Sequence, residues 1–139
     1  IGSPILRAEF IAVAHSDHPL HQLGRNVSMG DLQQHRQIVI RDSARGQGRD
    51  SGWLGAEQRW TVSHVATSAD MISRGMGFAW LPRSRVQAGL DSGILQELPL
   101  GKASRRYTEL YLVHADLEAA GPAALHLGKL LTRACDNYN

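Results

Sequence analysis

Cysteine is almost absent. The single Cys135 excludes an internal disulfide and makes a reducing, cytoplasmic setting the expectation. Long apolar runs are missing as well. No stretch approaches the roughly 18 consecutive apolar residues of a membrane span, so no membrane partner is expected, and no secretory signal opens the chain. Charge of one sign is also scarce. Fifteen Lys and Arg against thirteen Asp and Glu leave +2 with the histidines neutral. The pI near 9.0 therefore hides an interleaved pattern with no concentrated stripe for nucleic acid. There is no internal repeat and no low-complexity tract. What is present, 42% apolar and 20% charged residues in 139, suits one ordinary globular domain with a real core. The chain opens at Ile1 without an initiator Met, which reads as part of something longer.

Catalytic signatures are lacking too. There is no G-x-S-x-G elbow, no H-E-x-x-H, no C-x-x-C and no P-loop, so an enzyme is not expected. Gly46-Gln-Gly48 lacks the third glycine and the strand-turn-helix setting of a dinucleotide fingerprint. Cys135 lies in the tail of an amphipathic helix, away from any motif that would activate a thiol. No cofactor is implied.

Strand and helix patterns alternate along the chain. "EFIAVA" at 9–14, "QIVIR" at 37–41, "QRWTVS" at 58–63 and "FAWL" at 78–81 read as strands, with further candidates at 94–98 and 107–114. Ser28 with Asp31 three residues on predicts a capped helical turn. Thr67 and Asp70 have the same spacing, which predicts a helix from Thr67 or Ser68 that stops near Gly75. Residues 84–90 read as helical. Pro122 suits the first turn of a last helix, along which Ala123, Leu127, Leu130, Leu131 and Ala134 recur on one face. Trp53, Trp60 and Trp80 read as packing residues. The alternation predicts an α/β fold with a largely parallel sheet.

In such sheets ligands sit beyond the carboxyl ends of the strands, by the first turns of the following helices. Two places meet that rule. One is Arg41, Asp42 and Ser43, where a buried strand delivers a guanidinium fork and a hydroxyl to the sheet edge. The other is Thr67 and Ser68 at a helix start, beside backbone N–H groups suited to an anion. The plainer roles are a cap for Thr67 and Ser68, and a solvated arginine paired with Asp42 for Arg41.

"HSDHPLH" at 15–21 holds three of the seven histidines, with Asp17 as a potential fourth metal ligand. Pro19 in the middle opposes the helical presentation that would make the imidazoles converge. The residues favour a surface loop over a metal site.

The order "FIAVAHSDHPL", "HRQIVIRDS", "TSADMISRGMGFAWLP", "SGILQELPL" and "LYLVHADLEAAGPAALHLGKLL" resembles the effector-binding region of a LysR-type transcriptional regulator. The resemblance covers nearly the whole length and is most specific from Ser68 to Pro82. It implies a Rossmann-like three-layer lobe of a type-2 periplasmic-binding-protein-like fold. Residues near 9–14 and 107–114 would then be crossover strands and 9–114 one lobe with them, while 118–139 would return as a helix to the other lobe. It implies effector contacts at Arg41, Asp42, Ser43, Thr67 and Ser68, and a small polar or anionic metabolite as partner. It also implies self-association, and DNA contact only through a winged helix-turn-helix that these residues do not include. "SDHPL" becomes the family's turn after the first crossover strand, a scaffold element. A periplasmic solute-binding protein would share the fold.

Overall fold

The computed structural model describes residues 2–41, 53–113 and 119–137. They divide into two compact units: residues 9–106, and residues 1–8 together with 107–139.

The larger unit is built around a twisted sheet. β1 (Ser3–His15) begins in the smaller unit and supplies its apolar half, "FIAVA", to the larger. β2 (Gln37–Ile40), β3 (Arg59–Val62), β4 (Phe78–Pro82) and β5 (Leu95–Glu97) complete the order β3-β2-β4-β1-β5. β2 is parallel to β3 and to β4, whereas β1 is antiparallel to β4 and to β5. The sheet is therefore mixed. The expected largely parallel arrangement holds for β2 to β5, and β1 alone among these five is reversed. The connection β4–α3 (Arg83–Ser92)–β5 carries the chain past β1, which occupies the place between two like-directed strands.

Both faces of this sheet are covered, and the sequence shows why: its central strands are continuously apolar, not alternating. Ala12 and Ala14 of β1, with Phe78 and Trp80 of β4, join one core with Leu20, Val27, Leu32 and Leu98. Ile11 and Val13, with Ala79 and Leu81, join the other, with Ile38, Ile72, Val86 and Leu95. Adjacent residues of one strand serve opposite layers, as the period of two requires. The second core is roofed by α2 (Val65–Ser73) and α3. The first lies under Leu20 and α1 (Met29–Gln33). Ser28 caps α1 as its spacing predicts: its Oγ accepts from the Asp31 N–H, and the Asp31 carboxylate accepts from the Ser28 N–H. Arg25 clamps the same carboxylate and helps hold its pKa well below the usual range.

α2 ends as its glycine predicts. Gly75 is left-handed at φ 78°, its N–H donates to the Ile72 carbonyl, and the Met76 N–H donates to that of Met71. These two bonds form a Schellman stop. Gly77 serves a different need: a Cβ there would lie 2.5 Å from the Arg36 carbonyl, which accepts the Phe78 N–H. Only a bare α-carbon lets β4 start so close to β2.

"HSDHPLH" folds as a turn at the surface, with Asp17 and Pro19 exposed, but two of its residues point inward. His18 caps a 3-10 turn at Pro19–Gln22, its Nδ1 accepting from the Leu20 N–H, and both His18 and Leu20 are buried. Pro19 starts this turn, where its missing N–H costs nothing. Among the described residues no group of three or more His, Cys, Asp or Glu is arranged to hold a metal. Of the tryptophans, Trp80 packs edge-to-face on both Phe78 and Trp53 as expected, with Trp53 tilted against Phe78, but Trp60 is exposed under the Arg36 guanidinium.

In the smaller unit, β6 (Arg105–Leu112) pairs with β1, and α4 (Pro122–Asp136) follows with Pro122 in its first turn. Gly128 is the only buried residue described in this unit. Among the described residues, no helix is long and apolar enough to cross a membrane.

Candidate functional site

Two parallel strands bring Arg41 and the first turn of α2, with Thr67 and Ser68, to one edge. β2 and β3 run in register from Gln37 opposite Arg59 to Ile40 opposite Val62, so their carboxyl ends are level. Arg41 leaves β2 there, its N–H donating to the Val62 carbonyl at 2.7 Å and its side chain exposed. β3 ends at Val62, and the chain enters α2 three residues later. The end of β2 and the first turn of α2 therefore share the carboxyl edge of the sheet. Asp42 and Ser43 lie outside the described residues.

The helix start differs from the expected one. α2 begins at Val65 with His64 at the N-cap, not at Thr67 or Ser68. Thr67 is thus in the first turn and its spacing to Asp70 is not a capping box; Asp70 instead pairs with Arg74 one turn on. The sheet decides this. β3 runs out at Val62, and the first ladder bond, from the Ser68 N–H to the His64 carbonyl, closes as soon as the chain turns. Among the described residues no side chain caps this helix.

An uncapped first turn leaves N–H groups directed away from the helix, with the positive end of its dipole, and favours an anion. Two hydroxyls stand in that turn with opposite fates. Thr67 is exposed, whereas Ser68 shares the sheet-facing side with Ile72 and is fully buried. The Ser68 Oγ finds no hydrogen-bond partner among the described residues. A buried hydroxyl in that state costs about 1–3 kcal/mol. Arg41 adds a cationic fork at the same edge. His64, exposed at the helix mouth, was not singled out from the sequence; its position just after a strand and before an apolar turn was the available signal.

A mixed sheet covered on both faces, with the ends of two parallel strands and the start of α2 at one edge, makes an α/β lobe. The model of the LysR substrate binding domain matches residues 1–136, and the chain belongs to that family. Its fold is the periplasmic-binding-protein-like α/β fold of that family. None of the curated proteins matches the chain. Solved structures do. The C-terminal domains of a LysR family protein from Agrobacterium tumefaciens align with a TM-score of 0.71 at 19% identity, over 96% of this chain and 66% of that one. The effector-binding domain of QuiR in complex with shikimate aligns at 0.69 and 14%, over 99% and 66%. Full-length LysG from Corynebacterium glutamicum aligns at 0.65 and 16%, over 99% of this chain and 46% of that one. LysG has also been solved with arginine bound as effector. The chain thus spans about half of that full-length regulator. The family is regulatory and not enzymatic.

Proposed function

We propose that this chain is the effector-sensing part of a LysR-type transcriptional regulator, and that its ligand is a small polar or anionic metabolite. The observation that carries the reading is the buried Ser68 Oγ in the first turn of α2, which has no hydrogen-bond partner among the described residues. A hydroxyl left unpaired there costs stability, and a ligand oxygen would satisfy it. Arg41, Asp42, Ser43, Thr67 and Ser68 form the proposed contacts. Arg41 would pair with an acidic group, while Ser43, Thr67 and Ser68 would supply hydroxyls beside the helix N–H groups. The ligands of the two solved relatives, arginine and shikimate, both carry a carboxylate, which suits such an edge.

Affinity requires most of a small ligand to be enclosed, and one sheet edge is a single wall. The proposed cleft is completed by the rest of an effector domain, and DNA contact by a winged helix-turn-helix, both outside these residues. The regulator would act by an effector that binds two arrangements of an oligomer with different affinity. A cytoplasmic location goes with that reading.

Calorimetry on the complete effector domain, across a panel of carboxylate metabolites, tests the assignment. Ser68→Ala is expected to weaken the best ligand about tenfold, the worth of one buried hydrogen bond. Ser43→Ala should act in the same direction. If both variants bind a genuine effector as the parent does, the wall is wrongly placed.

A further inference from the structure

Four histidines meet at one corner of the larger unit, and the site above uses none of them. His15 ends β1, His18 caps the 3-10 turn, His21 lies within it and His35 follows α1. His18 is 7% exposed. Its ring meets that of His35 edge-on with centroids 5.2 Å apart. Its Nδ1 accepts the Leu20 N–H at 3.1 Å. That bond requires a lone pair, and an imidazolium has none to offer, because both its nitrogens carry hydrogen. The Nε2 of His21 is also buried, with no partner among the described residues.

The corner holds more than itself. Leu20, fixed by the His18 bond, is 1% exposed in the first core beside Val27 and Leu32. The His18 N–H donates to the His15 carbonyl at 2.8 Å, and the Ser16 N–H to that of Ile94 at 2.9 Å, so the turn ties down the end of β1. The groups facing His18 are imidazoles from each element around it: His35 after α1, His21 in the turn and His15 on β1. Asp17 is exposed and stands 3.9 Å from the His15 Nδ1. Arg36, beside His35, spreads over Trp60 and donates to the Met76 carbonyl. None of the groups acting on His18 is a carboxylate that would welcome its charge.

We propose that this corner is an acid-opened latch: a proton on His18 breaks the cap of the Pro19–Gln22 turn, frees Leu20 and loosens the end of β1 while the rest of the unit stays folded. Burial, then the neighbouring imidazoles of His35, His21 and His15, lowers His18 from 6.5 to about 4. Burial also holds His21 below its ordinary value. The closed latch favours neutral His18, so its stabilisation is complete above pH 6.5 and is lost as pH falls towards 4.

Amide hydrogen exchange of the intact chain, read by NMR at Leu20 and His21 and corrected for intrinsic rates, tests this. Opening at these amides should rise on the order of tenfold between about pH 7.5 and 5, while the β4 amides stay protected. In His18→Asn the amide oxygen keeps a cap acceptor and removes the His18 titration, so most of the rise should vanish, leaving only the part that His21 supplies. A rise that persists undiminished in His18→Asn, or one shared equally by β4, overturns the latch. Proton chemical shifts of the wild-type imidazoles give an answer that does not depend on the variant folding: His18 titrating near 6.5 would also overturn it.

Discussion

The two units of this chain solve the same problem to different degrees. In residues 9–106 the strands "FIAVA" and "FAWLP" send alternate side chains into two cores, and Phe78, Leu81, Ile11 and Val13 are almost inaccessible. In the unit of residues 1–8 and 107–139, Tyr107, Leu110, Tyr111, Val113, Leu125, Leu127, Leu130 and Leu131 are all exposed. The second unit is the more apolar in sequence, with 22 apolar residues in 41 against 37 in 98, so hydrophobicity alone does not make a core. A strand needs a covering layer on each apolar face. The first unit supplies layers on both sides of its sheet; the second supplies one helix, whose buried side is Gly128 and whose leucines face outward.

The largest test of that contrast is in the first unit. Phe78→Ala should cost about 3–5 kcal/mol in denaturant unfolding, the range for emptying a buried aromatic site. Its ring is shared by Trp53 and Trp80, which cannot collapse far into the space. Leu130→Ala, the same kind of truncation in the second unit, should stay within about 0.5 kcal/mol. Equal losses would dissolve the distinction. Gly77→Ala should come next, at roughly 1–3 kcal/mol, because the new Cβ meets a backbone carbonyl that is itself bonded to the Phe78 N–H.

Much of this was legible in the sequence wherever the controlling chemistry is local. The Ser28–Asp31 box, the Gly75 stop and Pro122 each act within a few residues, and each stands where its spacing predicts. The failures are non-local. The reversal of β1 is set by which strands flank it, and a short apolar run reads alike in either direction. The start of α2 is set by where β3 runs out, and Thr67 with Asp70 imitates a cap after the helix has already begun at Val65. His18 looked like a surface residue because its neighbours Ser16 and Asp17 are polar, yet Leu20 draws the turn inward. For the site, the strand-end rule chose Arg41 and Ser68 from position alone; that Ser68 is buried, with no partner among the described residues, needed the three-dimensional arrangement.

A smaller effect, of opposite sign, separates scaffold from function. Ser68→Ala removes a buried hydroxyl that has no partner among the described residues, so the unliganded protein should gain up to about 1 kcal/mol. Thermal unfolding without and with a bound effector checks both halves. Stability should rise in the free protein, while the shift produced by ligand should shrink. A loss of stability in the free protein would mean that Ser68 is serving the fold, not a ligand.

The smallest expected change in stability, and the most informative about the second unit, is at the outward face of α4. Leu127 is 56% exposed, with Leu130, Leu131 and Ala134 along the same side and a groove of about 470 Å³ lined by Leu112, Leu125, Gly128, Lys129, Thr132 and Arg133 in the same unit. Contiguous apolar surface of this kind draws another surface over it, and a further copy of the chain is the surface always at hand. Self-association of these residues is therefore the proposed outcome, through a face that pairs with itself across a two-fold axis. Leu127→Glu places a charge where an interface would bury it, at a cost of several kcal/mol to association, yet in a single copy it only exchanges one exposed side chain for another. Sedimentation velocity at rising concentration should show the parent shifting towards dimer and the variant remaining a monomer, with unfolding midpoints of the dilute proteins nearly equal. A parent that stays monomeric at high concentration, with α4 still protected from exchange, would show that the exposed leucines are tolerated in water, and the contrast between the two units would be one of packing alone.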